Sequence, residues 1–292
     1  MRPTTQISTT DWTQSVDRDL QQTAVAALED GSVLFFPQLA FKLTDKEARF
    51  LTPELVGDAK NVSYDYATRK ISHCACSEAD KFEVVEMMHR FSGQAKALVE
   101  NLLPDYKPKL KMGRSSLRPV EAAGRASSWR KDDTRLHVDS FPSTPLNGKR
   151  ILRVFTNVNP SGRPRSWRIG EPFEQVSARF APAVPSPAPG SRTLMQLFRV
   201  TRGRRSLYDH YMLALHDAMK SNEDYQRTCP QSNFDFPALS TWITFTDSVP
   251  HAVTSGQHQF EQTFYLEVDG MVNPEKSPLR ILEKQLGKNL RA

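Results

Sequence analysis

Leu136-His137-Val138-Asp139-Ser140-Phe141-Pro142-Ser143 and, soon after, Arg150-Ile151-Leu152-Arg153-Val154-Phe155-Thr156-Asn157-Val158 are the stretches on which the fold turns. Side chains alternate faces along an extended chain, so His137 and Asp139 point the same way and Val138 enters the opposite layer. The composition predicts strands over 135–141 and 150–158. Downstream, Trp242-Ile243-Thr244-Phe245 reads as another strand, and a short turn leads to Ser248-Val249-Pro250-His251. His251 lies 251 − 137 = 114 residues beyond His137. Two neutral imidazoles and one carboxylate on one face leave the opposite coordination positions open, as iron(II) requires when it must take both an oxidant and a co-substrate. Zinc would usually ask for a fourth protein ligand or one water.

A His-x-Asp pair alone is a weak signal, because surface pairs of this kind are common. The context strengthens it: the pair sits in an apolar segment, a strand begins about ten residues later, and the distant His follows a strand near the C-terminal end. That order predicts an α+β protein with a mainly β core, a double-stranded β-helix of the jelly-roll or cupin-like type. His73, His89, His210, His216 and His258 fall in expected helices, edge segments or a polar turn, and read as structural or solvated.

Outward from this core, a helix is expected over Leu20 to Glu29, stopped by Asp30-Gly31, and then a buried strand at Val33-Leu34-Phe35-Phe36. Another helix should start after Thr44. Val84, Met87, Met88, Phe91, Ala95, Leu98 and Leu102 recur at helical spacing within 78–103, ended by Pro104. Further strands are expected at 240–245 and 262–268, with a proline-rich loop at 182–190 and a helix over 206–219 between the β pieces. The whole reads as one domain, with a helical and β support region at 1–108, a β core at 109–268 carrying a helical insertion near 191–228, and a C-terminal helix in 269–292.

Three cysteines, with Cys74 and Cys76 too close for an ordinary bridge, fit a reducing compartment. The first twenty residues lack the apolar run of a signal peptide, and no stretch reaches membrane-spanning length, so a cytoplasmic location is expected. A net charge of +6 and a pI near 9.2 favour an anionic partner without choosing among nucleic acid, an acidic membrane surface and a phosphorylated metabolite.

The two opening stretches, together with Trp167-Arg168-Ile169-Gly170-Glu171-Pro172-Phe173, Pro250-His251-Ala252-Val253 and Glu261-Gln262-Thr263-Phe264-Tyr265-Leu266, resemble the bacterial Kdo 3-hydroxylases over roughly residues 125 to 268. The resemblance implies an iron(II)- and 2-oxoglutarate-dependent dioxygenase with His137, Asp139 and His251 as metal ligands and O2 as co-substrate. The implied reaction hydroxylates C3 of the 3-deoxy sugar Kdo in Kdo-lipid A, a lipopolysaccharide modification, and turns 2-oxoglutarate into succinate and carbon dioxide. A partner of that kind would bring the enzyme to the inner face of the inner membrane. Two other readings stay open: an oxygenase of another anionic substrate, and a non-catalytic β-sandwich that binds a glycan or lipid. No nucleic-acid recognition motif is visible, so nucleic acid is not the expected partner.

One departure stands out. The wider superfamily often carries an Arg or Lys about a dozen residues past the distal His to hold the far carboxylate of 2-oxoglutarate, and here that stretch reads Glu261-Gln262-Thr263-Phe264. Arg153 is the expected substitute because it shares strand parity with Phe155 and Asn157, and Arg135, in phase with His137 and Asp139, competes with it. Asn157 and Gln262 are further cofactor contacts to consider. Arg125, Trp129, Arg130, Arg165 and Arg168 gather around the first metal-bearing segment, where they are expected either to meet the carboxylate and phosphates of the substrate or to sit in solvent. Arg199, Arg202, Arg204 and Arg205 precede a helix with Leu207, Tyr211, Leu215 and Met219 at helical spacing, which faces either an anionic membrane or the protein core.

Overall fold

The computed structural model describes residues 3–124, 127–188 and 203–291. In chain order its principal elements are β1 (Thr4–Gln6), α1 (Arg18–Glu29), β2 (Val33–Phe36), α2 (Asp45–Ala48), β3 (Val62–Asp65), β4 (Lys70–Ser72), α3 (Glu78–Leu102), β5 (Leu110–Arg118), β6 (Arg150–Asn157), β7 (Arg165–Gly170), α4 (Phe173–Phe180), α5 (Leu207–Ser221), α6 (Glu223–Thr228), β8 (Gln231–Phe236), β9 (Thr241–Phe245), β10 (His251–Ser255), β11 (Gln259–Leu266) and α7 (Pro278–Leu286).

Two sheets form the centre. The larger runs β1-β2-β9-β6-β11-β5-β3-β4 and the smaller β10-β7-β8. All pairings are antiparallel except β1 with β2. Strand parity decides what each face of the large sheet meets. Leu152 and Val154 of β6, Ile243 and Phe245 of β9, and Phe260 and Phe264 of β11 pack under the helices, against Val84, Met87, Met88, Phe91 and Leu98 of α3 and Val25 and Leu28 of α1. The opposite face meets the small sheet through Phe155, Trp167, Phe236, Trp242 and Val253. A third cluster, Leu136 and Val138 with Val176, Phe180, Tyr208, Met212, Leu215, Leu279 and Leu282, joins the segment of His137 and Asp139 to α4, α5 and α7.

Local chemistry sets the element ends. Asp17 caps α1 by accepting from the Leu20 N–H, and Ser77 caps α3 by accepting from the Asp80 N–H. Gly31 at φ 80° turns the chain out of α1 into β2. Ser206 and Asp209 cap α5 reciprocally.

The expected strand over 135–141 is not a strand: it makes an isolated bridge between His137 and His251. The reason lies in α6, where Gln226 stands in for a neighbouring strand. Its side-chain oxygen accepts from the Leu136 N–H at 2.7 Å and its amide donates to the Leu136 carbonyl at 2.9 Å. The alternation that puts His137 and Asp139 on one side survives, because the chain stays extended. The last strand begins at Gln259 rather than 262 and carries an irregularity against β5 between Gln262 and Phe264. β7 and β8 were hidden from the periodicity by Arg165, Arg168 and the polar run Gln231-Ser232-Asn233.

The membrane-facing alternative for α5 is overturned. Tyr208, Tyr211, Met212, Leu215 and Met219 are buried in the third cluster, so the apolar face is already covered by protein. Arg199 and Arg202 lie outside the described residues, while Arg205 donates to the Pro142 carbonyl.

Candidate metal centre

His137 and His251 face each other through a reciprocal backbone pair, His137 N–H to His251 O at 3.0 Å and His251 N–H to His137 O at 2.8 Å. Asp139 is tied to the next segment, its N–H donating to Thr246 O at 2.8 Å. Each imidazole gives its Nδ1 proton to a carbonyl, His137 to Arg135 O at 2.7 Å and His251 to Val249 O at 2.9 Å. That choice of tautomer leaves both Nε2 atoms as lone-pair donors. His137 Nε2 lies 3.8 Å from Asp139 Oδ1, and one ligand atom from each of the three residues falls within 4.8 Å of the others.

The electrostatics suit a cation. Burial holds both imidazoles below their ordinary pKa and therefore neutral, His251 less strongly because the Asp139 carboxylate and the ring's own bond to the Val249 carbonyl pull the other way. Burial acts to raise the Asp139 carboxyl, but the Arg153 guanidinium, with a bond from the Thr246 side chain, outweighs it and holds the group well below the usual carboxylate range. Trp167 stacks on the His251 ring at 5.1 Å between centroids.

Beside the three donors runs a chain of ion pairs. Arg153 Nη2 lies 3.2 Å from Asp139 Oδ2, and its Nη1 donates to Glu261 Oε1 at 2.8 Å. Arg118 Nε donates to the other oxygen of Glu261 at 3.2 Å. Arg165 is buried, with Nη1 donating to Gly256 O at 2.8 Å, and burial followed by repulsion from Arg118 brings it down to about 10, still a cation at neutral pH. Asp139 Oδ2, Arg153 Nε, Arg165 Nε, Trp167 Nε1 and Thr244 Oγ1 are buried without a hydrogen-bond partner among the described residues. Such atoms are costly to leave unpaired. Asp139 is one of the three donors and Arg153 pairs with it, so unpaired polar atoms on both fit a site built to receive a metal and a polar anion.

Some of the expected cofactor and substrate contacts are elsewhere. Arg135 turns to Lys220 O and Glu223, at 2.8 and 2.6 Å, and serves the site through its carbonyl. Asn157 is buried, donating to Arg163 O and Phe236 O and accepting from the Asn159 N–H, so it braces a turn. Gln262 has the opposite parity from Glu261 and Thr263, and its amide donates to Gly113 O and Thr263 O at the irregular point of β11. Arg168 clamps Thr134 O and Gln226 O, holding β7 to α6. Arg130 is exposed, bonds Asp217 and covers Trp129 at 4.1 Å, whereas Arg125 lies outside the described residues. Sequence reasoning missed Arg118, Glu261 and His216 as neighbours of the centre. The same strand parity that singled out Arg153 would have found Glu261 once its pairing with Phe155 was known.

A sequence profile of the family described as 3-deoxy-D-manno-oct-2-ulosonic acid (Kdo) hydroxylase matches residues 11–289. No curated protein matches the chain. Among solved structures, the Kdo hydroxylase KdoO, described as a non-heme Fe(II) alphaketoglutarate dependent dioxygenase, is similar in several states. Its complex with alphaketoglutarate and Fe(III) is 49% identical, covers 99% of this chain and 97% of its own, and superposes with a TM-score of 0.96. Its cobalt(II) complex is 49% identical over 100% and 98%, with a TM-score of 0.98, and its complex with succinate and Fe(III) is 48% identical over the same shares, with a TM-score of 0.96. A match over nearly the whole length, with donors that suit the same class of metal, places this chain in the Kdo hydroxylase family.

Proposed function

We propose that this chain is an iron(II)- and 2-oxoglutarate-dependent dioxygenase that hydroxylates C3 of Kdo carried on a lipid A precursor. The observation that carries the reading is the convergence of His137 Nε2, Asp139 and His251 Nε2 beside buried polar atoms that lack partners. The described residues form one oxygenase domain whose two facing sheets are read as a double-stranded β-helix, with His137 and Asp139 on the segment bridging to β10 and His251 at its start.

When bound, iron(II) and 2-oxoglutarate supply the oxidising power that puts one atom of O2 into a C–H bond and leaves succinate and carbon dioxide. The protein provides placement. His137, Asp139 and His251 would hold the metal, and the carbonyls of Arg135 and Val249 fix the tautomers. Arg153, with Arg118 beyond Glu261, supplies cationic donors for the dicarboxylate: two guanidiniums stand against the carboxylates of Asp139 and Glu261. Trp167 and Phe155 wall the site with apolar surface, which limits water beside the reacting groups. Trp129, half-buried beside the exposed guanidinium of Arg130, is the described part of the segment expected to meet the substrate.

A lipid-linked substrate would be met at the cytoplasmic face of a membrane, and the net charge of +6 favours that anionic surface. No helix among the described residues is long and apolar enough to cross a membrane. Purified protein with iron(II) and 2-oxoglutarate should form succinate in step with a Kdo product heavier by one oxygen when given Kdo-lipid A. Succinate coupled instead to single-stranded DNA would redirect the assignment, and none formed under any condition would return it to a binding module.

A further inference from the structure

His216 lies on α5, and its ring stands edge-on to that of His137, with centroids 5.4 Å apart and planes at 84°. Its Nδ1 is 2.9 Å from Asp217 Oδ1. Burial acts to raise the Asp217 carboxyl, yet the bonds from His216 and Arg130 hold it below the ordinary range, so it is an acceptor and Nδ1 carries the proton. With Nδ1 turned to Asp217, the other ring nitrogen, Nε2, is bonded by no protein group among the described residues. The ring is held on its far side as well: Arg130 Nε donates to Asp217 Oδ2 at 3.1 Å, and Lys220, one turn along α5, donates to Arg130 O at 3.1 Å.

The rest of the site is rich in donors. Arg118, Arg153 and Arg165 can only donate, and the carboxylate of Glu261 is taken by two of them. A sugar presents hydroxyl protons as well as acceptor oxygens, so its recognition needs an acceptor that the arginines have not consumed. We propose that His216 is a specificity-determining residue, its Nε2 accepting a hydrogen bond from a hydroxyl of the sugar bound beside the metal centre. Asp217 and Arg130 act as positioning residues for the ring. This inference rests on the sugar-hydroxylase reading given above.

Steady-state kinetics with Kdo-lipid A and 2-oxoglutarate test it. His216→Phe keeps a flat ring but removes the acceptor, and the sugar KM should rise about tenfold, the scale of one lost hydrogen bond. The KM for 2-oxoglutarate and the affinity for cobalt(II) should move less than about twofold, because neither depends on that bond. His216→Gln, which restores an acceptor, should recover part of the loss. Asp217→Asn should raise the sugar KM to a lesser degree, and it serves as the deciding variant if the Phe protein fails to fold. A parent sugar KM in these variants, or a parallel loss of cobalt affinity, overturns the inference alone. A parent enzyme that consumes 2-oxoglutarate and leaves every Kdo substrate unchanged overturns the functional reading and this one with it.

A separate site lies between β4 and α3. The sulfurs of Cys74 and Cys76 are 2.7 Å apart, both residues are half-buried, and the Ala75 N–H between them is pinned to Leu55 O at 2.7 Å. The two-residue spacing argues against an ordinary bridge, but the fold turns both sulfurs onto one point, and we infer that this dithiol closes to a disulfide by exchange with a small-molecule disulfide. Cys76, just before the cap of α3, attacks one sulfur of the oxidant as thiolate and expels one thiol; Cys74 then gives up its proton and displaces the second. Two electrons pass from the protein dithiol to the oxidant, which leaves as two thiols. After treatment with oxidised glutathione the protein should be lighter by two hydrogen atoms, with Cys74 and Cys76 joined in one peptide, and Cys74→Ser should instead retain a glutathione adduct on Cys76. A wild-type protein that stays reduced, or that keeps glutathione on either residue, overturns the inference.

Discussion

At the residue scale the centre depends on where each proton sits. The carbonyls of Arg135 and Val249 take the Nδ1 protons, so His137 and His251 each keep an Nε2 lone pair free for the proposed metal. Replacing His137, Asp139 or His251 with Ala should abolish turnover and metal-dependent succinate formation while circular dichroism stays close to that of the parent, because the three side chains line a site instead of filling a core. Near-parental turnover in any one of them would remove that residue from the metal. Zinc and cobalt should compete for the same place and give no hydroxylated product. Arg153→Lys keeps a charge but loses the paired donors that reach both Asp139 and Glu261. The 2-oxoglutarate KM should rise about tenfold or more with little change for the sugar. Thermal unfolding should also fall, since Glu261 keeps only the single bond from Arg118.

At the scale of elements, the two histidine segments are held together by parts that do not touch the metal. Gly170, at the end of β7, has room for no side chain: a Cβ there would come 2.8 Å from Leu136 and 2.9 Å from Pro250, the residues that precede His137 and His251. Gly170→Ala should cost about 1–3 kcal/mol by overpacking, and it should weaken cobalt affinity because both ligands are displaced. Equilibrium unfolding and a cobalt titration check the two effects separately. Gln226 tests the α6 clamp. Gln226→Leu leaves the Leu136 N–H and carbonyl buried without partners, at about 1–3 kcal/mol for each orphaned group, so chemical denaturation should report a large loss and metal binding should drop with it. Helix α5 shows the same economy of structure: the apolar stripe that suggested a membrane is used on α4 and α7, while its polar side carries His216, Asp217 and Lys220 toward the centre.

At the scale of the whole molecule, two sheets and a helical cover bring together residues far apart in the chain. Metal and 2-oxoglutarate bind only the folded form, so saturation at about a hundred times Kd should add about 2.7 kcal/mol, seen as a higher Tm that the three ligand variants do not share. With the apolar face of α5 docked on protein, attraction to anionic vesicles is expected from surface charge, and flotation should be lost when salt shortens the screening length. The sequence by itself determined the mainly β core with its helices and the long helix α3, and it singled out His137, Asp139 and His251, which the fold brings together. Those signals are local: a two-residue repeat puts His137 and Asp139 on one side, and helical periodicity marks Val84 through Leu102. Family resemblance added the chemistry. Only the tertiary structure decided which polar residues attend the centre. Asn157 and Gln262 had eligible side chains, but strand pairing sent one to a turn and the other to an irregular point of β11. Glu261, Arg118 and His216 reach the site through contacts 108, 143 and 79 residues apart in sequence, between Glu261 and Arg153, Arg118 and Glu261, and His216 and His137 (216 − 137 = 79). No local pattern encodes those distances, because they are set by how sheets and helices pack.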